Sequence, residues 1–520
     1  MARTRAAAAG RADPALVAIV REQQRRFGPS LSRAANLDAL AAGGTAVVAT
    51  GQQVGLFLGP LYSFYKAASA IAVARALENE AGVRCVPLFW LQTEDHDFEE
   101  IAAVTIADRQ GTPTYLGLTD ERPEEARQSV CHRRLGPEVS QLIDRLAEIL
   151  PEGPAAAETL ALLRQHYVAG QPIAAAFAAT MAALFAEHGL LIFDPRQAGV
   201  AALAAPVYRR ALQGAAVLEQ GLLARGAELE AAGFSQQIPV REGCTLLFFH
   251  RGDVHGPRYR LQRRAGDGHT PGASWALAGA DEVVSPDELE RCLKDDPLRL
   301  STSALLRPIV QDTLWPTAAY VGGPGEMNYL AQLGPVYEHF GVEPPLVVPR
   351  ARFRCLDART RRLLRELHLE ANDLARAEPE LLALLVDRQR TGDHADGGES
   401  GVTRARIATE ILPAVDEIAR AVAATRPELS RAAERTRASV SHALTRLVDR
   451  YTRALAERDT VTRERLARVK AALLPDGVPQ ERVYAWPSFA GRIGPHAFTR
   501  LVLDALAEDP FATAPRDLSP

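Results

Sequence analysis

The stretch 45–101 limits what this chain can fold into more than any other segment. Ala46–Thr50 is a short apolar run rich in β-branched residues, and Val86–Leu91 is a second run without polar interruption, which is typical of parallel strands covered on both faces. Between the two runs, apolar residues recur at helical spacing over 61–77. Two parallel strands joined by a helix form a right-handed βαβ unit. The stretch therefore predicts an α/β fold built on a parallel sheet.

Each strand of this unit is followed by a segment with functional character. The glycine-rich turn GQQVGLFLGP (51–60) follows the first strand, and the acidic run TEDHDFEE (93–100) follows the second. Parallel sheets bind their ligands beyond the carboxyl ends of the strands. The two segments are therefore predicted to share one edge of the sheet, and function is expected there.

A second strand–glycine–helix unit mirrors the first. Thr317–Val321 is an apolar strand, GGPG (322–325) is a tight turn, and Glu326–Phe340 has the pattern of a helix, before a short strand at Leu346–Val348. The intervening segment Gln236–Ala280 is rich in strand patterns. Both units are expected to belong to one sheet, which this β-rich insert interrupts.

The chain after residue 355 has a helical pattern. Leucines at helical spacing predict one long amphipathic helix, the polar stretch Thr391–Gly401 predicts a turn, and a second apolar stripe predicts a returning helix. The stripe positions are Leu363, Leu364, Leu367, Leu374, Leu381 and Leu385 in the first helix, and Val440, Leu444, Leu447, Tyr451 and Leu455 in the second. We expect an antiparallel hairpin of the coiled-coil type.

These patterns divide the chain into three parts. Residues 1–355 form the predicted α/β core, with inserts near 102–190 and 234–298. Residues 356–478 form the predicted helical hairpin. Residues 479–520 carry aromatic side chains that need burial, so this segment is expected to fold back on the core.

Composition narrows the functional classes. The net charge of −4 gives no general attraction to nucleic acid or to an anionic membrane. Every apolar run is too short to span a bilayer, and the amino terminus lacks the apolar region of a signal peptide. The five cysteines include no CxxC pair, which argues against a disulfide framework and a thiolate zinc site. We therefore expect a cytoplasmic protein that binds neither nucleic acid nor membrane.

The first glycine-rich turn has the features of an anion site. Gly51, Gly55 and Gly59 would allow the backbone to approach a ligand, and free N–H groups at the start of the next helix favour negative charge. Gln52 and Gln53 add uncharged amides. The alternative is an ordinary turn with solvated glutamines.

The helix after this turn could add polar groups to the same edge. Tyr62 and Lys66 are four residues apart, so they lie on one helix face. The alternative for Lys66 is an ordinary surface lysine.

The acidic run surrounds one histidine with carboxylates. Glu94, Asp95 and Asp97 flank His96 directly after a buried strand. Crowded carboxylates raise one another's pKa and favour a protonated histidine. Such a group could steer an amine, hold magnesium or supply a general base, so we predict these four residues as the catalytic group. The alternative is a histidine with a purely structural role.

The second glycine turn repeats the logic of the first. Gly322, Gly323 and Gly325 lie before a helix whose first turn holds Glu326, where the helix dipole favours a carboxylate. The alternative is a capped turn without a ligand.

A polar helix face lies upstream of this turn. Arg307 shares that face with Gln311 and Asp312 and could clamp a carboxylate or phosphate in bidentate fashion. The alternative is a surface ion pair between Arg307 and an acidic residue.

Three long motifs resemble a known family. TGQQVGLFLGPLYSFYKAASAI, VPLFWLQTEDHDFEEI and LLRPIVQDTLWPTAAYVGGPGEMNYLAQL are similar to the bacillithiol biosynthesis cysteine-adding enzymes, the BshC family. The resemblance extends over nearly the whole chain and is weakest in the β-rich insert and at the ends. It implies a Rossmann-like core similar to class I aminoacyl-tRNA synthetases, with connecting insertions and an α-helical antiparallel coiled-coil domain through which the family dimerises.

The resemblance also implies an activity. The expected reaction joins the carboxylate of L-cysteine to the amine of glucosaminyl malate as an amide, in the last step of bacillithiol biosynthesis. A carboxylate must be activated before it acylates an amine, which implies ATP, with or without Mg²⁺, but no permanently bound cofactor or metal.

One departure weakens the synthetase analogy. The chain has no HIGH motif, and its three lysines exclude a KMSKS-like loop. Two alternatives to the ligase stay open on the residues alone. One is a metal-dependent hydrolase that uses the cluster 94–97, and the other is a non-catalytic scaffold built on the coiled coil.

Overall fold

The computed structural model describes residues 12–119, 126–263, 275–390, 406–457 and 460–520. Its strands are β1 (Ala46–Gln52), β2 (Cys85–Leu91), β3 (Ala103–Ala107), β4 (Pro113–Gly117), β5 (Leu191–Phe193), β6 (Cys244–His250), β7 (Arg258–Arg263), β8 (Trp275–Leu277), β9 (Val283–Val284), β10 (Leu300–Thr302), β11 (Thr317–Gly322), β12 (Leu346–Pro349), β13 (Phe353–Cys355) and β14 (Arg516–Leu518).

The helices of the core are α1 (Pro14–Arg25), α2 (Leu31–Ala42), α3 (Tyr62–Ala81), α4 (Phe98–Ile101), α5 (Glu138–Ile149), α6 (Pro154–His166), α7 (Ile173–Leu184), α8 (Ala198–Gln213), α9 (Ala215–Ala231), α10 (Pro286–Asp295), α11 (Arg307–Leu314), α12 (Pro324–Leu330) and α13 (Gly334–Phe340). Those that follow are α14 (Ala358–Glu366), α15 (Glu378–Arg390), α16 (Leu412–Thr425), α17 (Ser430–Glu457), α18 (Thr460–Leu473), α19 (Gln480–Val483), α20 (Pro487–Ile493) and α21 (Pro495–Glu508). Within the described ranges, every helix is too short or too polar to cross a membrane.

The central sheet is parallel, as the sequence predicts. Its strand order is β12-β11-β1-β2-β5, and β1 pairs in parallel with both β11 and β2. Side chains of β2 alternate between two cores, with Phe89 and Leu91 on one face and Leu88 and Trp90 on the other. Because β1 and β11 are parallel neighbours, their glycine-rich turns leave the same edge of the sheet.

The chain leaves this sheet twice. After β2 it forms the antiparallel pair β3–β4 and the helices α5 to α7. After α9 it forms a five-stranded antiparallel sheet of order β10-β6-β7-β8-β9, here called the insert sheet. The insert sheet packs on the face of the central sheet that carries Trp90, because Leu247 and Phe249 of β6 share that core.

Two helical stretches of the core are broken. The stretch 198–231 divides at Gly214 into α8 and α9, and a Cβ atom on Gly214 would lie 2.4 Å from the imidazole of His339. The predicted helix Glu326–Phe340 divides into α12 and α13, and Pro335 marks the first turn of the second piece.

The long helix predicted after residue 355 is also wrong. The leucine stripe is divided among α14, a 3₁₀ turn at Ala371–Ala375 and α15, because His368 has a φ of 52° and Pro379 lies where a new helix begins. The six predicted leucines nevertheless share one apolar core with Leu466, Val469 and Leu473 of α18.

The returning helix of the predicted hairpin is α17, which packs along α15 and α16. Its apolar seam differs from the predicted one, because Val448 is buried whereas Leu447 is 64% exposed. The predicted turn Thr391–Gly401 and the side chains of Tyr451 and Leu455 lie outside the described residues.

The closing segment packs on the core. The carbonyl of Tyr484 accepts the N–H of Leu61 at 2.9 Å, and the Phe498 ring lies 5.4 Å from that of Phe64 in α3. Strand β14 then pairs in parallel with β13. These contacts bring the segment around 480 to the edge where the glycine turns lie.

Candidate active site

A cleft of about 420 Å³ lies at the carboxyl edge of the central sheet. Eleven predicted site residues line it, namely Gln52, Gln53, Tyr62, Lys66, Glu94, Asp95, His96, Arg307, Gly323, Gly325 and Glu326. The other lining residues are Trp90, Gln92, Ile238, Phe248, Arg258, Arg260, Thr302, Ser303, Ala304, Leu305, Pro324, Tyr329, Arg350 and Arg482. The cleft thus joins both turns, the acidic run, the insert sheet and the closing segment.

A buried ion pair connects the two turns. The Lys66 ammonium donates to the carbonyl of Gly51 at 2.8 Å and to Oε1 of Gln52 at 2.7 Å, and it pairs with Oε2 of Glu326. Lys66 is 3% exposed, so the surface-lysine alternative is wrong. Three oxygen acceptors match the three N–H donors of an ammonium, so we assign the charged form although burial lowers the pKa of Lys66.

Glu326 is fixed by two further donors. The Tyr320 hydroxyl donates to its Oε1 at 2.6 Å, and the N–H of Gly323 donates to its Oε2 at 2.8 Å. Burial alone would raise the pKa of Glu326, but Lys66 and these donors hold it below its ordinary value. The carboxylate therefore caps α12 and holds Lys66 in place.

Gln53 organises the acidic run. Its amide donates to Oδ2 of Asp95 at 2.8 Å and to Oε2 of Glu100 at 2.6 Å. Oδ1 of Asp95 accepts the N–H of His96 at 2.7 Å. Burial and the nearby charges of Asp95 and Asp97 raise the pKa of Glu100. The first turn and the acidic run are thus in direct contact.

The environment of His96 differs from the sequence-based expectation. Its Nδ1 lies 3.2 Å from Nη1 of Arg258, a residue of β7. Burial and this guanidinium lower the pKa of His96, so the predicted protonated histidine is wrong. Of the acidic run, Oδ1 of Asp95 lies 3.6 Å from Nδ1 of His96, whereas Glu94 accepts the N–H and the hydroxyl of Thr302, and Asp97 caps α4.

Most of the first turn is core. Phe57 and Leu58 are fully buried with φ values of 45° and 72°, and Gly55 and Gly59 do not line the cleft. The predicted free N–H groups are in use: that of Leu58 donates to the Tyr167 hydroxyl at 3.1 Å. Those of Gly55, Gly59, Leu61 and Ser63 donate to the carbonyls of Gln53, Leu56, Tyr484 and Pro60. These backbone N–H groups are therefore not available to bind an anion, and the predicted anion site is wrong for them.

Gly51 and Gly322 lie behind the cleft wall. A Cβ atom on Gly51 would lie 2.9 Å from the carbonyl oxygen of Trp90, so only glycine fits between these strands. The carbonyl of Gly322 accepts the N–H of Arg350 at 2.8 Å.

The polar face of α11 is buried rather than exposed. Nη1 of Arg307 donates to Oε1 of Gln311 at 2.9 Å, and Nη2 donates to the Tyr329 hydroxyl at 3.3 Å. Oδ2 of Asp312 accepts the Tyr337 hydroxyl at 2.7 Å. A surface ion pair is therefore wrong, and a bidentate clamp would have to share both Nη groups with these partners.

Comparison with known proteins places the chain in a family. A family model described as "Bacillithiol biosynthesis BshC, N-terminal Rossmann-like domain" matches residues 2–351. A second, described as "Bacillithiol biosynthesis BshC, C-terminal coiled-coil domain", matches residues 353–510. The chain belongs to the BshC family. The likeness of the family core to class I aminoacyl-tRNA synthetases stays a prediction.

Curated relatives in the BshC family are similar over most of their length. The relatives from Koribacter versatilis and Solibacter usitatus are each 32% identical, over 90% and 92% of this chain and 83% and 85% of their own. A relative from Salinibacter ruber is 30% identical over 89% of this chain and 81% of its own. All three are named "Putative cysteine ligase BshC".

In this BshC chain, sequence reasoning missed one whole wall of the cleft. Phe248, Arg258 and Arg260 come from β6 and β7, Thr302 is the last residue of β10, and Ser303 follows it. The available signal was the apolar and arginine alternation in PRYRLQRR, which places charged side chains on one face of a strand whose other face is core.

The closing segment contributes a second missed group. Arg350 follows β12 and donates from Nη2 to Oε1 of Glu481 at 2.7 Å, with both side chains buried. Its guanidinium lies 5.5 Å from the Tyr62 ring. The neighbouring Arg482 lines the cleft. This ion pair joins the sheet edge to a segment more than a hundred residues away, which no local pattern could reveal.

Proposed function

We propose that this BshC chain is a ligase that forms the amide between the carboxylate of L-cysteine and the amine of glucosaminyl malate, in the last step of bacillithiol biosynthesis. The observation that carries the proposal is the family match, which covers both domains from residue 2 to 510. Curated relatives at about a third identity carry the name of a cysteine ligase.

The cleft has the charge distribution that this reaction needs. Asp95 and Glu94 lie on one side with His96, and Arg307, Arg350 and Lys66 lie around the second turn. An amino sugar or an amino acid enters with an ammonium group, which the carboxylates attract, while its carboxylates are attracted by the cations. One cleft can therefore hold both reactants with the amine close to the carbonyl that it attacks.

ATP is the proposed source of activation for the cysteine carboxylate. Because the N–H groups of Gly55, Leu58, Gly59, Leu61 and Ser63 are in use, side chains would have to bind the phosphates. Arg260, Arg307 and Arg482 line the cleft and are not held by a buried carboxylate. When bound, ATP would convert the carboxylate into an acyl-phosphate or acyl-adenylate.

Reconstitution tests this function. Purified protein with cysteine, glucosaminyl malate, ATP and Mg²⁺ should yield bacillithiol by mass spectrometry, with ADP or AMP identifying the activated species. Gln53→Ala should reduce the rate strongly because it releases Asp95, whereas Thr313→Ala on exposed α11 surface should match the wild type. Absence of product under every nucleotide and metal condition would reject the proposal.

A homodimer through the hairpin belongs to the same proposal. Ile411, Ile418 and Val422 are between 38% and 65% exposed and lie at i, i+7 and i+11, on one helix face. Such an apolar stripe is suited to a second copy of the hairpin. Ile418→Glu should convert the dimer to a monomer in analytical ultracentrifugation.

We also propose that the protein is cytoplasmic. The five cysteines of the chain are free thiols, which suits a reducing compartment.

The alternative of a metal-dependent hydrolase is not favoured. Among the described residues, no group of three or more His, Cys, Asp or Glu side chains is arranged to hold a metal ion. His96 faces Arg258, which repels a cation.

A further inference from the structure

Arg258 is a buried cation that the insert sheet delivers to the cleft. Its Nε donates to the Ser301 hydroxyl at 2.9 Å, and its Nη2 donates to the carbonyl of Thr302 at 2.5 Å. Its guanidinium lies 3.7 Å from the centre of the Phe248 ring. The residue is 4% exposed. Three contacts within the insert sheet therefore fix its orientation before it reaches the acidic run.

The third nitrogen of the Arg258 guanidinium, Nη1, contacts a histidine nitrogen. Nη1 lies 3.2 Å from Nδ1 of His96. A guanidinium has donors only, so Nδ1 must be the acceptor of this bond. Burial lowers the pKa of Arg258 to about 10, which leaves the guanidinium charged at neutral pH. A neutral imidazole that accepts at Nδ1 carries its proton on Nε2.

We propose that Arg258 is a positioning residue that fixes His96 as the neutral tautomer with its proton on Nε2. His96 then meets the substrate as a hydrogen-bond donor and not as a base. Among the described residues, no hydrogen-bond partner is assigned to Nε2 of His96, which lines the cleft.

The charged groups around His96 agree with this assignment. Burial and Arg258 lower the pKa of His96, and Arg127 acts in the same direction. Asp95, whose Oδ1 lies 3.6 Å from Nδ1, and Asp97 oppose them, and the balance leaves the pKa below its ordinary value. The Phe248 ring, 6.3 Å away, adds an apolar neighbour. At Nδ1 the Arg258 donor is closer than the Asp95 carboxylate, 3.2 Å against 3.6 Å, which agrees with a neutral imidazole that accepts there.

The chemical role rests on the proposed ligase function. When the amine attacks the activated cysteinyl carbonyl made with a nucleoside triphosphate, the C–N bond forms and negative charge develops on the carbonyl oxygen. The Nε2–H of His96 can stabilise that oxygen. As the bond to the phosphate leaving group breaks, the amine must lose a proton, and the Asp95 carboxylate, held by Gln53, is the neighbouring acceptor.

Nitrogen NMR of the free protein tests the tautomer without substrate. In protein labelled with ¹⁵N-histidine, with the His96 signal assigned by its loss in His96→Gln, Nε2 should be the protonated nitrogen at pH 8 and at pH 7. In Arg258→Met the imidazole should titrate closer to the ordinary pKa of about 6.5 and populate both tautomers. A wild-type His96 that is charged at pH 7 or protonated on Nδ1 would overturn the assignment.

Kinetics separates a donor from a base. The amide nitrogen of glutamine occupies a position like that of Nε2, so His96→Gln should keep kcat within about tenfold, whereas His96→Ala should lose about 100-fold. If His96 were a base, both variants would lose kcat equally, and that result would overturn the donor role.

The Arg258 variants test the positioning role. Arg258→Lys should retain more kcat than Arg258→Met, with the surface variant Arg209→Met as the matched control. If the wild type forms no amide at all, the ligase function fails while the NMR result stands.

Discussion

The first glycine turn (51–60) and the insert sheet meet at one cleft, and they differ in what their sequences reveal. The turn has the glycines, amides and helix start that predict a ligand site, yet only Gln52 and Gln53 of its residues line the cleft. The insert sheet has no such motif and supplies a wall with Phe248, Arg258 and Thr302.

The difference follows from what each segment must satisfy. Backbone N–H groups in a buried turn need partners, and in this fold the protein supplies them, so a glycine-rich pattern alone does not make a cradle. A strand arginine that is buried needs acceptors as well, and Arg258 finds them on two different segments. Buried polar side chains near a sheet edge are therefore as informative as glycines.

Phe57→Ala gives the largest expected effect and tests whether the turn is structural. The ring is fully buried and lies 5.0 Å from that of Tyr167, so its removal should lower the free energy of unfolding by about 3–5 kcal/mol. Urea denaturation measures this, with exposed Leu447→Ala as the control. If stability is unchanged while substrate affinity falls, the turn is a ligand site after all.

Lys66→Met tests the ion pair that joins the two turns. It leaves Glu326 buried without its cation, and the loss should be about 3 kcal/mol, at the low end for a broken buried pair because Tyr320 and Gly323 still donate to the carboxylate. Glu326→Gln in the same chain should restore part of this stability in a double-mutant cycle. Additive losses would show that the two side chains act independently.

The sequence predicted the scaffold better than the site. Parallel β1, β2 and β11 follow from continuous apolar runs, and so does their common edge. The breaks at Gly214 and Pro379 had local signals, but the alanine and leucine periodicity around them continued. The pairing of Arg258 with His96 and of Arg350 with Glu481 depends on how distant segments dock, which periodicity does not encode.

The insert sheet should also be the part of the molecule most sensitive to acid. His250 at the end of β6 is fully buried, and burial followed by the charge of Arg196 lowers its pKa to about 2. Below about pH 6.5 only the unfolded chain binds this proton, so the free energy of unfolding falls with falling pH, by about 1.4 kcal/mol per pH unit for one group.

His250→Asn isolates this contribution. The amide nitrogen of asparagine can replace Nδ1, which contacts the carbonyl of Gly256 at 3.1 Å. Between pH 7 and 5 the variant should lose about 2 kcal/mol less stability than the wild type in urea titrations. His442→Gln on the exposed hairpin should follow the wild type, and an acid response identical in His250→Asn would exclude His250 as the cause.

The smallest expected effect concerns Ser303, and it distinguishes a wall that binds from one that only packs. Its hydroxyl is buried and has no hydrogen-bond partner among the described residues, and the side chain lines the cleft. Ser303→Ala should leave the free energy of unfolding unchanged or slightly higher, because the buried hydroxyl makes no hydrogen bond to the described residues of the folded protein. The variant should lower kcat/KM by about five- to tenfold, through one lost hydrogen bond to the substrate. Thr313→Ala changes an exposed residue of α11, the helix that follows Ser303, and should change neither the free energy of unfolding nor kcat/KM. If Ser303→Ala instead unfolds more easily and keeps its kcat/KM, the hydroxyl serves the fold, and the insert sheet contacts substrate only through its charged residues.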